Sequence, residues 1–372
     1  MSSPETPIRI GIVGTGFIAR AHAEAYRRVR DLGTGRPVEL ASVASRRLDN
    51  ARSFADRHGI RDAMDDWRGL VGADVDLVDV CTPNDSHVEI AGAAIDAGHD
   101  VVCEKPLGRD ATEARGLADR VEASTRRLFC VFNYRFVPAV ALIAELVRSG
   151  EFGDLHGFRF DYSQDWGLGE GTGWKFDGVA AGSGSVGDLG SHAFDLLRAL
   201  VGPIDWISAR TTTVAPGRSV DDAFVSLVTT VGGVSGTVSS SRVVPGAKNR
   251  LALEITGTRG AVSWNLERLN EITVVRETPG GFERTTRLVT RSADPSIDRW
   301  WPEGHVLGWE AAMFGNLAAV IETLSGRADW WALPPADHRD GLAAALAVDA
   351  TLASAADATA GAATVAPVGG ES

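Results

Sequence analysis

Short apolar runs alternate with helical patterns through the first 130 residues of the chain. The runs are IRIGIVG, VELASVA, VDLVDVCT, DVVCEKP and RLFCVF, and amphipathic stretches such as FIARAHAEAYRRVR and HVEIAGAAIDAG separate them. Apolar runs without polar alternation suit strands of a sheet that is covered on both faces. Strand and helix repeated at this spacing predict an α/β fold, a doubly wound parallel sheet.

The pattern changes at about Leu155, where longer β-rich runs begin. GFRFDYSQ, AFVSLVTTV, LALEITG and EITVVRE favour a second domain with a mostly antiparallel sheet, and the helical segments WEAAMFGNLAAVIETLSG and GLAAALAVDATLASAAD close the chain. A chain of 372 residues is long enough for two domains with separate cores. We expect one domain over residues 1–130, a second over residues 131–358, and a disordered tail over residues 359–372.

Charge and hydropathy exclude several classes of protein. The net charge of −12 opposes binding to nucleic acid and to anionic membrane surfaces. No segment is apolar for long enough to span a bilayer, and the start MSSPETPIRI lacks the basic and apolar regions of a signal peptide. The expected location is the cytoplasm. Cys81, Cys103 and Cys130 each stand in an apolar run, which favours buried free thiols over disulfides or metal ligands.

A glycine-rich turn follows the first apolar run and opens the first helical pattern. It reads Gly14, Thr15, Gly16, Phe17 and Ile18. The first glycine permits a tight turn, and the second lets backbone amides approach a pyrophosphate at a helix N-terminus. In this strand, turn and helix context the motif predicts a dinucleotide site, and an ordinary glycine turn is the alternative.

The end of the second apolar run indicates which dinucleotide is bound. An acid at this position would bind the ribose hydroxyls of NAD, but the chain has Ser45, Arg46 and Arg47 instead. A hydroxyl and two guanidinium groups can accommodate a 2′-phosphate. The sequence therefore favours NADP over NAD, with two solvated arginines as the alternative.

The segment CTPNDSH follows the run VDLVDV, at the edge where open parallel sheets carry ligand loops. Thr82, Pro83 and Asn84 are expected to contact the cofactor, whereas Ser86 suits a helix cap. For His87, capping or packing and ligand contact are equal alternatives.

The segment DVVCEKP places a charged pair, Glu104 and Lys105, at the end of an apolar run. Pro106 has no backbone donor and stops ladder pairing there. Taken alone, Lys105 could be a solvated lysine at a strand end.

A second glycine-rich loop, in GSGSVGDLGSHAFDLLRAL, continues into an amphipathic helical pattern. Asp188 and His192 stand four residues apart and would share one face of a helix. An aspartate at a helix N-terminus with an incidental histidine is the alternative.

Taken together and in this order, these motifs resemble the glucose-fructose oxidoreductase, inositol dehydrogenase and rhizopine-catabolism (Gfo/Idh/MocA) oxidoreductases. The resemblance rests on GIVGTGFIA, CTPNDSH, CEKPL, NYRF and GDLGSH, and the closing segments GWEAAMFGNL and HRDGLAAALAVDATLASA are also similar. It implies an N-terminal Rossmann domain and a C-terminal α+β domain whose large, mostly antiparallel open sheet carries the substrate pocket.

The resemblance also implies roles for individual residues. Glu104 and Lys105 would contact the cofactor, and Lys105 would also contact the substrate and stabilise charge on its reacting oxygen. His192 would transfer the proton, with Asp188 as its partner in the pocket. Such proton transfer suits an imidazole, whose ordinary pKa lies near neutrality.

Further residues are expected in the wall of the site. Tyr134, Arg135 and Trp166 are predicted substrate contacts, and Trp174 and Lys175 are predicted cofactor contacts. For the two tryptophans, packing in the core is an equal alternative. The family often has arginine where this chain has Lys175, and a lysine cannot make the bidentate bond.

The leading function is NAD(P)-dependent hydride transfer to or from a secondary alcohol of a sugar, polyol or cyclitol. An NAD-dependent redox-cycling glycoside hydrolase and a catalytically silent sugar or dinucleotide sensor are the alternatives. Retention of Lys105, Asp188 and His192 together argues against a sensor. The resemblance further implies a homodimer or homotetramer. Loops of the pocket, rather than the fold, decide which substrate is bound.

Overall fold

The computed structural model describes residues 6–29, 35–169, 173–215, 217–327, 331–357 and 363–368. The chain divides into two units. The first contains Met1–Gly108, Thr112–Phe136 and Trp309–Gly341, and the second contains Arg109–Ala111, Val137–Gly308 and Leu342–Ser372. Among the described residues, no helix combines the length and the hydropathy of a membrane span.

The first unit is built on a six-stranded sheet whose neighbouring strands all run parallel. The strands are β1 (Ile8–Val13), β2 (Val38–Ala44), β3 (Asp62–Met64), β4 (Leu77–Val80), β5 (Asp100–Glu104) and β6 (Leu128–Val131). Their order is β3-β2-β1-β4-β5-β6. The helices between them are α1 (Phe17–Val29), α2 (Leu48–His58), α3 (Trp67–Val71), α4 (His87–Asp96) and α5 (Ala111–Glu122). This arrangement confirms the predicted doubly wound sheet.

One strand of this sheet was absent from the predicted set. β3 has only three residues, Asp62–Met64, and contains no apolar run. The run VDLVDV therefore forms the fourth strand rather than the third, and CTPNDSH follows β4. All three cysteines are buried and free, as predicted.

The second unit contains a nine-stranded sheet, which confirms the predicted mostly antiparallel architecture. After α6 (Pro138–Arg148), its elements are β7 (Leu155–Ser163), α7 (Gly178–Ala181), α8 (Ser191–Leu200), β8 (Ile204–Thr212), β9 (Ala223–Thr230), β10 (Ser235–Ser241), β11 (Arg250–Gly257), β12 (Gly260–Asn265), β13 (Glu271–Thr278), β14 (Gly281–Leu288) and β15 (Ala363–Thr364). The order is β14-β13-β12-β11-β7-β10-β9-β8-β15. Among the described strands, β7 and β10 pair parallel and the other neighbours pair antiparallel.

The last strand lies in the segment for which a disordered tail is predicted. Ala363 and Thr364 pair with Ile207 and Trp206 of β8. Residues 359–362 and 369–372 of the predicted tail lie outside the described residues.

Two helices, α9 (Glu310–Leu324) and α10 (His338–Ala356), occupy the predicted closing segments. α9 belongs to the first unit, although the sequence places it in the second domain. Met313, Leu317 and Ile321 of α9 share one hydrophobic core with Tyr26 and Val29 of α1. The apolar face of α9 predicts that the helix packs against a hydrophobic surface. That face does not indicate which of the two units provides the surface.

Candidate active site

The glycine turn of the first unit joins β1 to α1 with two differently constrained glycines. Gly14 has a φ of +118°, and a Cβ there would lie 2.4 Å from the carbonyl oxygen of Cys81. A Cβ at Gly16 would meet no atom within 4 Å. Gly14 is therefore required by the turn itself, whereas Gly16 borders open space.

The start of α1 is suited to a negatively charged ligand. α1 has no acidic residue in its first turn, and Phe17 is 65% exposed there. Free amides at a helix N-terminus attract phosphate. Because Gly16 leaves space beside those amides, the turn fits the pyrophosphate of a dinucleotide.

The end of β2 lies beside the glycine turn. The hydroxyl of Thr15 donates a hydrogen bond to Ser45 Oγ at 3.3 Å. Arg46 and Arg47 are exposed where α2 begins. The two predicted contributors to the dinucleotide site, Thr15 and Ser45, are thus directly connected.

The loop after β4 is held by His87, which is completely buried. Its Nδ1 lies 2.9 Å from the carbonyl oxygen of Pro106, and its Nε2 lies 2.8 Å from that of Thr82. Thr82 and Pro83 are half-buried, and Asn84 is buried. Of the two alternatives for His87, these contacts favour packing, because both ring nitrogens face backbone oxygens.

β5 ends at Glu104, so Lys105 stands at the carboxyl end of a parallel strand, as expected. Lys105 is half-buried. Its backbone N–H donates to Glu104 Oε2 at 3.2 Å, and the Lys105–Pro106 peptide is cis. Carboxyl ends of parallel strands are the edge at which open α/β sheets bind ligands.

Tyr134 and Arg135 lie in a short 3-10 turn, Asn133–Phe136, and both are buried. Arg135 Nη1 lies 3.1 Å from Asp340 Oδ2. Trp309 Nε1 donates to the Tyr134 hydroxyl at 3.4 Å. These contacts lie within the first unit and favour packing, while substrate contact by either side chain stays a prediction.

In the second unit, Asp188 and His192 lie on one continuous helical segment. Val186–Gly190 form a π-helical turn that leads directly into α8. Such turns occur frequently at functional sites. His192 is 7% exposed, and its ring meets the Tyr162 ring edge to face with centroids 6.0 Å apart.

Lys175 connects three of the predicted site residues. Its Nζ lies 3.2 Å from each carboxylate oxygen of Asp188. The same Nζ lies 5.2 Å from the ring centroid of Trp166 and 5.8 Å from that of Trp174. Trp166 is 40% exposed and Trp174 is 37% exposed, so both rings keep an accessible surface. Lys175, Asp188 and the two tryptophans form a cluster that we call the lysine cluster.

Three polar residues that the sequence did not single out connect His192 to this cluster. Asn249 Oδ1 accepts hydrogen bonds from the Tyr162 hydroxyl and from Gln164 Nε2, both at 2.6 Å. Gln164 Oε1 in turn accepts from Trp166 Nε1 at 2.5 Å. Tyr162 and Gln164 stand two residues apart at the carboxyl end of β7, and this alternation could have indicated that they share one face of the sheet. No motif in the sequence around Asn249 marks that residue as part of the site.

The predicted catalytic set is drawn from both units. Lys105 belongs to the first, and Asp188 and His192 belong to the second.

Two family models match the chain in succession. Residues 8–132 match the model described as "Oxidoreductase family, NAD-binding Rossmann fold", and residues 140–263 match the "GFO/IDH/MocA C-terminal domain". The N-terminal unit is thus identified as an NAD-binding domain.

Individual relatives extend the match over most of the chain. Levoglucosan dehydrogenase of Pseudarthrobacter phenanthrenivorans is 32% identical over 325 residues, which cover 79% of this chain and 83% of that protein. Inositol 2-dehydrogenase of Rhizobium meliloti is 27% identical over 287 residues, covering 74% and 81%. A solved structure of levoglucosan dehydrogenase in complex with NADH matches with a TM-score of 0.93 and 29% identity, covering 98% of this chain and 100% of that one. Its fold, its two domain models in order and its similarity to these dehydrogenases show that the chain belongs to the Gfo/Idh/MocA family of oxidoreductases.

Proposed function

We propose that this enzyme uses NAD(H) to oxidise a secondary hydroxyl group of an uncharged sugar or cyclic polyol. The observation that carries the proposal is the lysine cluster, which presents two partly exposed tryptophan rings beside a carboxylate. Aromatic faces suit the C–H faces of sugars, and a carboxylate accepts hydrogen bonds from hydroxyl groups. The similarity to levoglucosan and inositol dehydrogenases agrees with a substrate of this kind.

The charge of the cluster supports an uncharged substrate. Asp188 pairs with Lys175 through both carboxylate oxygens, so the ammonium is already compensated. A phosphorylated sugar would have to compete with that carboxylate for Lys175. We therefore expect levoglucosan or an inositol to be preferred over glucose 6-phosphate.

The proton leaves the substrate hydroxyl for a ring nitrogen of His192. General base catalysis by histidine contributes about 10²- to 10⁴-fold in rate. The Lys105 ammonium stabilises negative charge that develops on the substrate oxygen. Asp188, held by Lys175, orients the substrate through its hydroxyl groups.

The glycine turn and the start of α1 hold the pyrophosphate, and Thr15 and Ser45 lie at the adenosine end. A nicotinamide held there would supply the hydride acceptor for oxidation and the hydride donor for reduction. The expected preference for NADP gains no support from relatives whose structures contain NADH. We propose NAD(H), and we predict that the exposed Arg46 and Arg47 leave NADP as a weaker ligand.

A substrate panel tests this function. Purified enzyme is incubated with NAD or NADP and with levoglucosan, L-sorbose, myo-inositol, D-glucose or glucose 6-phosphate, while the absorbance of reduced nicotinamide is followed. Stoichiometric NADH formation with an uncharged sugar is the expected result. In a parallel assay with nitrophenyl glycosides, release of nitrophenol without net reduction would instead identify the redox-cycling hydrolase, and binding of a sugar without either reaction would identify a sensor.

We further propose a homodimer or homotetramer. Val225 and Leu227 on β9 are 57% and 58% exposed, which supports an assembly that covers this face. Light scattering after size exclusion tests the proposal, and a monomer at micromolar concentration would contradict it.

A further inference from the structure

A buried histidine lies on α1, behind the glycine turn, and takes no part in the function proposed above. His22 is 0% exposed. Its Nδ1 lies 2.8 Å from Asp79 Oδ2 on β4, and its Nε2 lies 3.0 Å from Glu104 Oε1 on β5. One imidazole thus bridges two carboxylate side chains from neighbouring strands.

The geometry indicates that this imidazole carries a positive charge. A neutral imidazole has one N–H and can donate to only one acceptor, whereas both acceptors here are carboxylate oxygens. Burial, the largest single influence, lowers the pKa of His22, but the charge of Asp79, the contact with Cys81 and the hydrogen bonds to both together outweigh it, and the pKa lies well above its ordinary value. His22 is therefore an imidazolium between Asp79 and Glu104.

A metal site is the competing interpretation, because His22, Asp79 and Cys81 offer three donor atoms close together. Cys81 Sγ lies 3.3 Å from His22 Nδ1. Burial raises the pKa of the Cys81 thiol, so that the thiol keeps its proton when no metal is bound. The Nδ1 that faces Cys81 is also the atom that lies 2.8 Å from Asp79 Oδ2. These contacts favour an ion-paired network.

The network joins the three segments that carry predicted cofactor and catalytic residues. α1 begins at the glycine turn, β4 leads to the loop that begins at Thr82, and Glu104 is the last residue of β5. The second carboxylate oxygen of Glu104 accepts the backbone N–H of Lys105 at 3.2 Å. A continuous path of hydrogen bonds therefore runs from α1 through His22 and Glu104 to Lys105.

Stability alone does not account for such a network. Burying charged groups costs much of what their attraction returns, and well-packed apolar side chains of similar volume stabilise a fold equally well or better. What the ion-paired arrangement adds is a fixed geometry and a fixed charge at the end of β5.

We propose that His22 is a positioning residue for Lys105. Its imidazolium orients the Glu104 carboxylate, which holds the backbone at Lys105, and it offsets the negative charge of that carboxylate. This inference rests on the proposed function only in assigning Lys105 to the chemistry. The electrostatic part is a property of the free protein.

The lysine content of the chain allows a direct test. There are three lysines, Lys105, Lys175 and Lys248. Reductive methylation with ¹³C-formaldehyde gives three lysine signals in NMR, and Lys175→Arg and Lys248→Arg assign them. Titration of the Lys105 signal then measures the pKa of its ammonium without substrate or turnover.

Two variants perturb the network and one serves as a matched control. His22→Gln removes the positive charge, and Glu104→Gln removes a negative charge with little change of shape. His99→Gln is the control, since His99 precedes the opposite end of β5 and its ring nitrogens lie 3.0 and 2.7 Å from the carbonyl oxygens of Val75 and Val71. This variant removes a hydrogen-bonded histidine from the same unit and leaves the network of His22, Asp79 and Glu104 intact.

Opposite shifts of the Lys105 pKa are expected from the two variants. The pKa rises in His22→Gln, because lost positive charge favours the ammonium, and it falls in Glu104→Gln, because lost negative charge disfavours it. Asp79 and Cys81, the other groups that act on the imidazole, are unchanged in both variants. In turnover assays, kcat falls about 10- to 100-fold in both variants, as misplacement of a reacting group predicts. Kd for NADH stays within about threefold in His22→Gln.

Several outcomes would overturn the proposal. An unchanged Lys105 pKa in both variants would show that the network does not act on the lysine. A loss of thermal stability in His22→Gln as large as in His99→Gln, with kcat unchanged, would show a purely structural role. Should His22→Gln fail to fold, the Lys105 pKa in Glu104→Gln still tests the proposal, and an unchanged pKa there would overturn it. If no sugar is oxidised by the wild-type enzyme, the proposed function fails, while the titration of Lys105 remains interpretable.

Discussion

Substituting alanine at each glycine of the β1–α1 turn separates the needs of the fold from those of the cofactor. At Gly14, φ is +118° and the new Cβ would lie 2.4 Å from the carbonyl oxygen of Cys81. The backbone strain alone costs about 1–3 kcal/mol. At about 2–4 °C per kcal/mol for a domain of 150–250 residues, this strain should lower Tm by about 2–12 °C in Gly14→Ala. The contact with Cys81 adds to that loss, because a backbone oxygen has to move.

Gly16→Ala should have the opposite profile. The added methyl group meets no protein atom within 4 Å, and φ at Gly16 is not in the left-handed region, so the free protein keeps its stability. The methyl group does enter the space that the pyrophosphate is predicted to approach. We expect the Kd for NADH to rise at least about tenfold.

The assay is a paired measurement on each variant. Tm is followed by circular dichroism without ligand, and Kd is obtained from the fluorescence of bound NADH. Wild-type affinity in Gly16→Ala would show that the pyrophosphate lies elsewhere. Wild-type Tm in Gly14→Ala would contradict the positive φ and the close contact on which the reasoning depends.

Three further substitutions test the proposed chemistry. Lys105→Met should lower kcat/KM for the sugar about 10²- to 10³-fold, the usual loss for a group that stabilises charge on a reacting oxygen, with NADH affinity retained and Lys248→Met as the control. His192→Asn should lower the rate about 10²- to 10⁴-fold and remove the rising limb of the pH profile of kcat/KM, since asparagine cannot accept the proton; a limb that persists would assign the base elsewhere. Ser45→Asp should raise the ratio of Kd for NADP to Kd for NAD at least about tenfold, because a carboxylate repels the 2′-phosphate; an unchanged ratio in direct titrations would place the adenosine away from Ser45.

The fold of the first unit follows from the sequence because its strands are continuous apolar runs. β1, β2, β4, β5 and β6 each coincide with such a run. β3 contains three residues with no apolar pattern, so periodicity does not reveal it. The position of α9 depends on which surface its apolar face meets, and that information lies in α1, about 290 residues away.

Some features of the candidate site could likewise be predicted from the sequence, and others could not. The spacing of Asp188 and His192 predicts a shared helical segment, and the structure places them on one. The ion pair between Lys175 and Asp188 could not be predicted, because the short helix α7 and a run of glycine and serine residues separate them. His22 left a readable signal, since it interrupts the buried face of α1 formed by Ala19, Ala23 and Tyr26.

The charge on His22 also has a consequence for the pH dependence of stability. Its pKa is raised in the folded protein, while an unfolded imidazole titrates near ~6.5. Below that pH both states are protonated, and the stabilisation by the imidazolium is fully present. Between the unfolded and the folded pKa the folded state binds one more proton, so the free energy of unfolding decreases with pH by up to about 1.4 kcal/mol per pH unit. The stabilisation is lost as pH rises through the folded pKa.

Urea denaturation of the wild type and of His22→Gln at several pH values from neutral to alkaline isolates this contribution. The difference between the two free energies of unfolding removes the effect of every group that the variants share. We expect the difference in free energy of unfolding between the wild type and His22→Gln to shrink as pH rises. In His99→Gln, the free energy of unfolding should keep the wild-type slope with pH. A difference that stays constant with pH would mean that the buried imidazole is neutral. In that case either one of its two carboxylate contacts is not a hydrogen bond or one carboxyl group is protonated, and the electrostatic link from α1 to Lys105 does not exist.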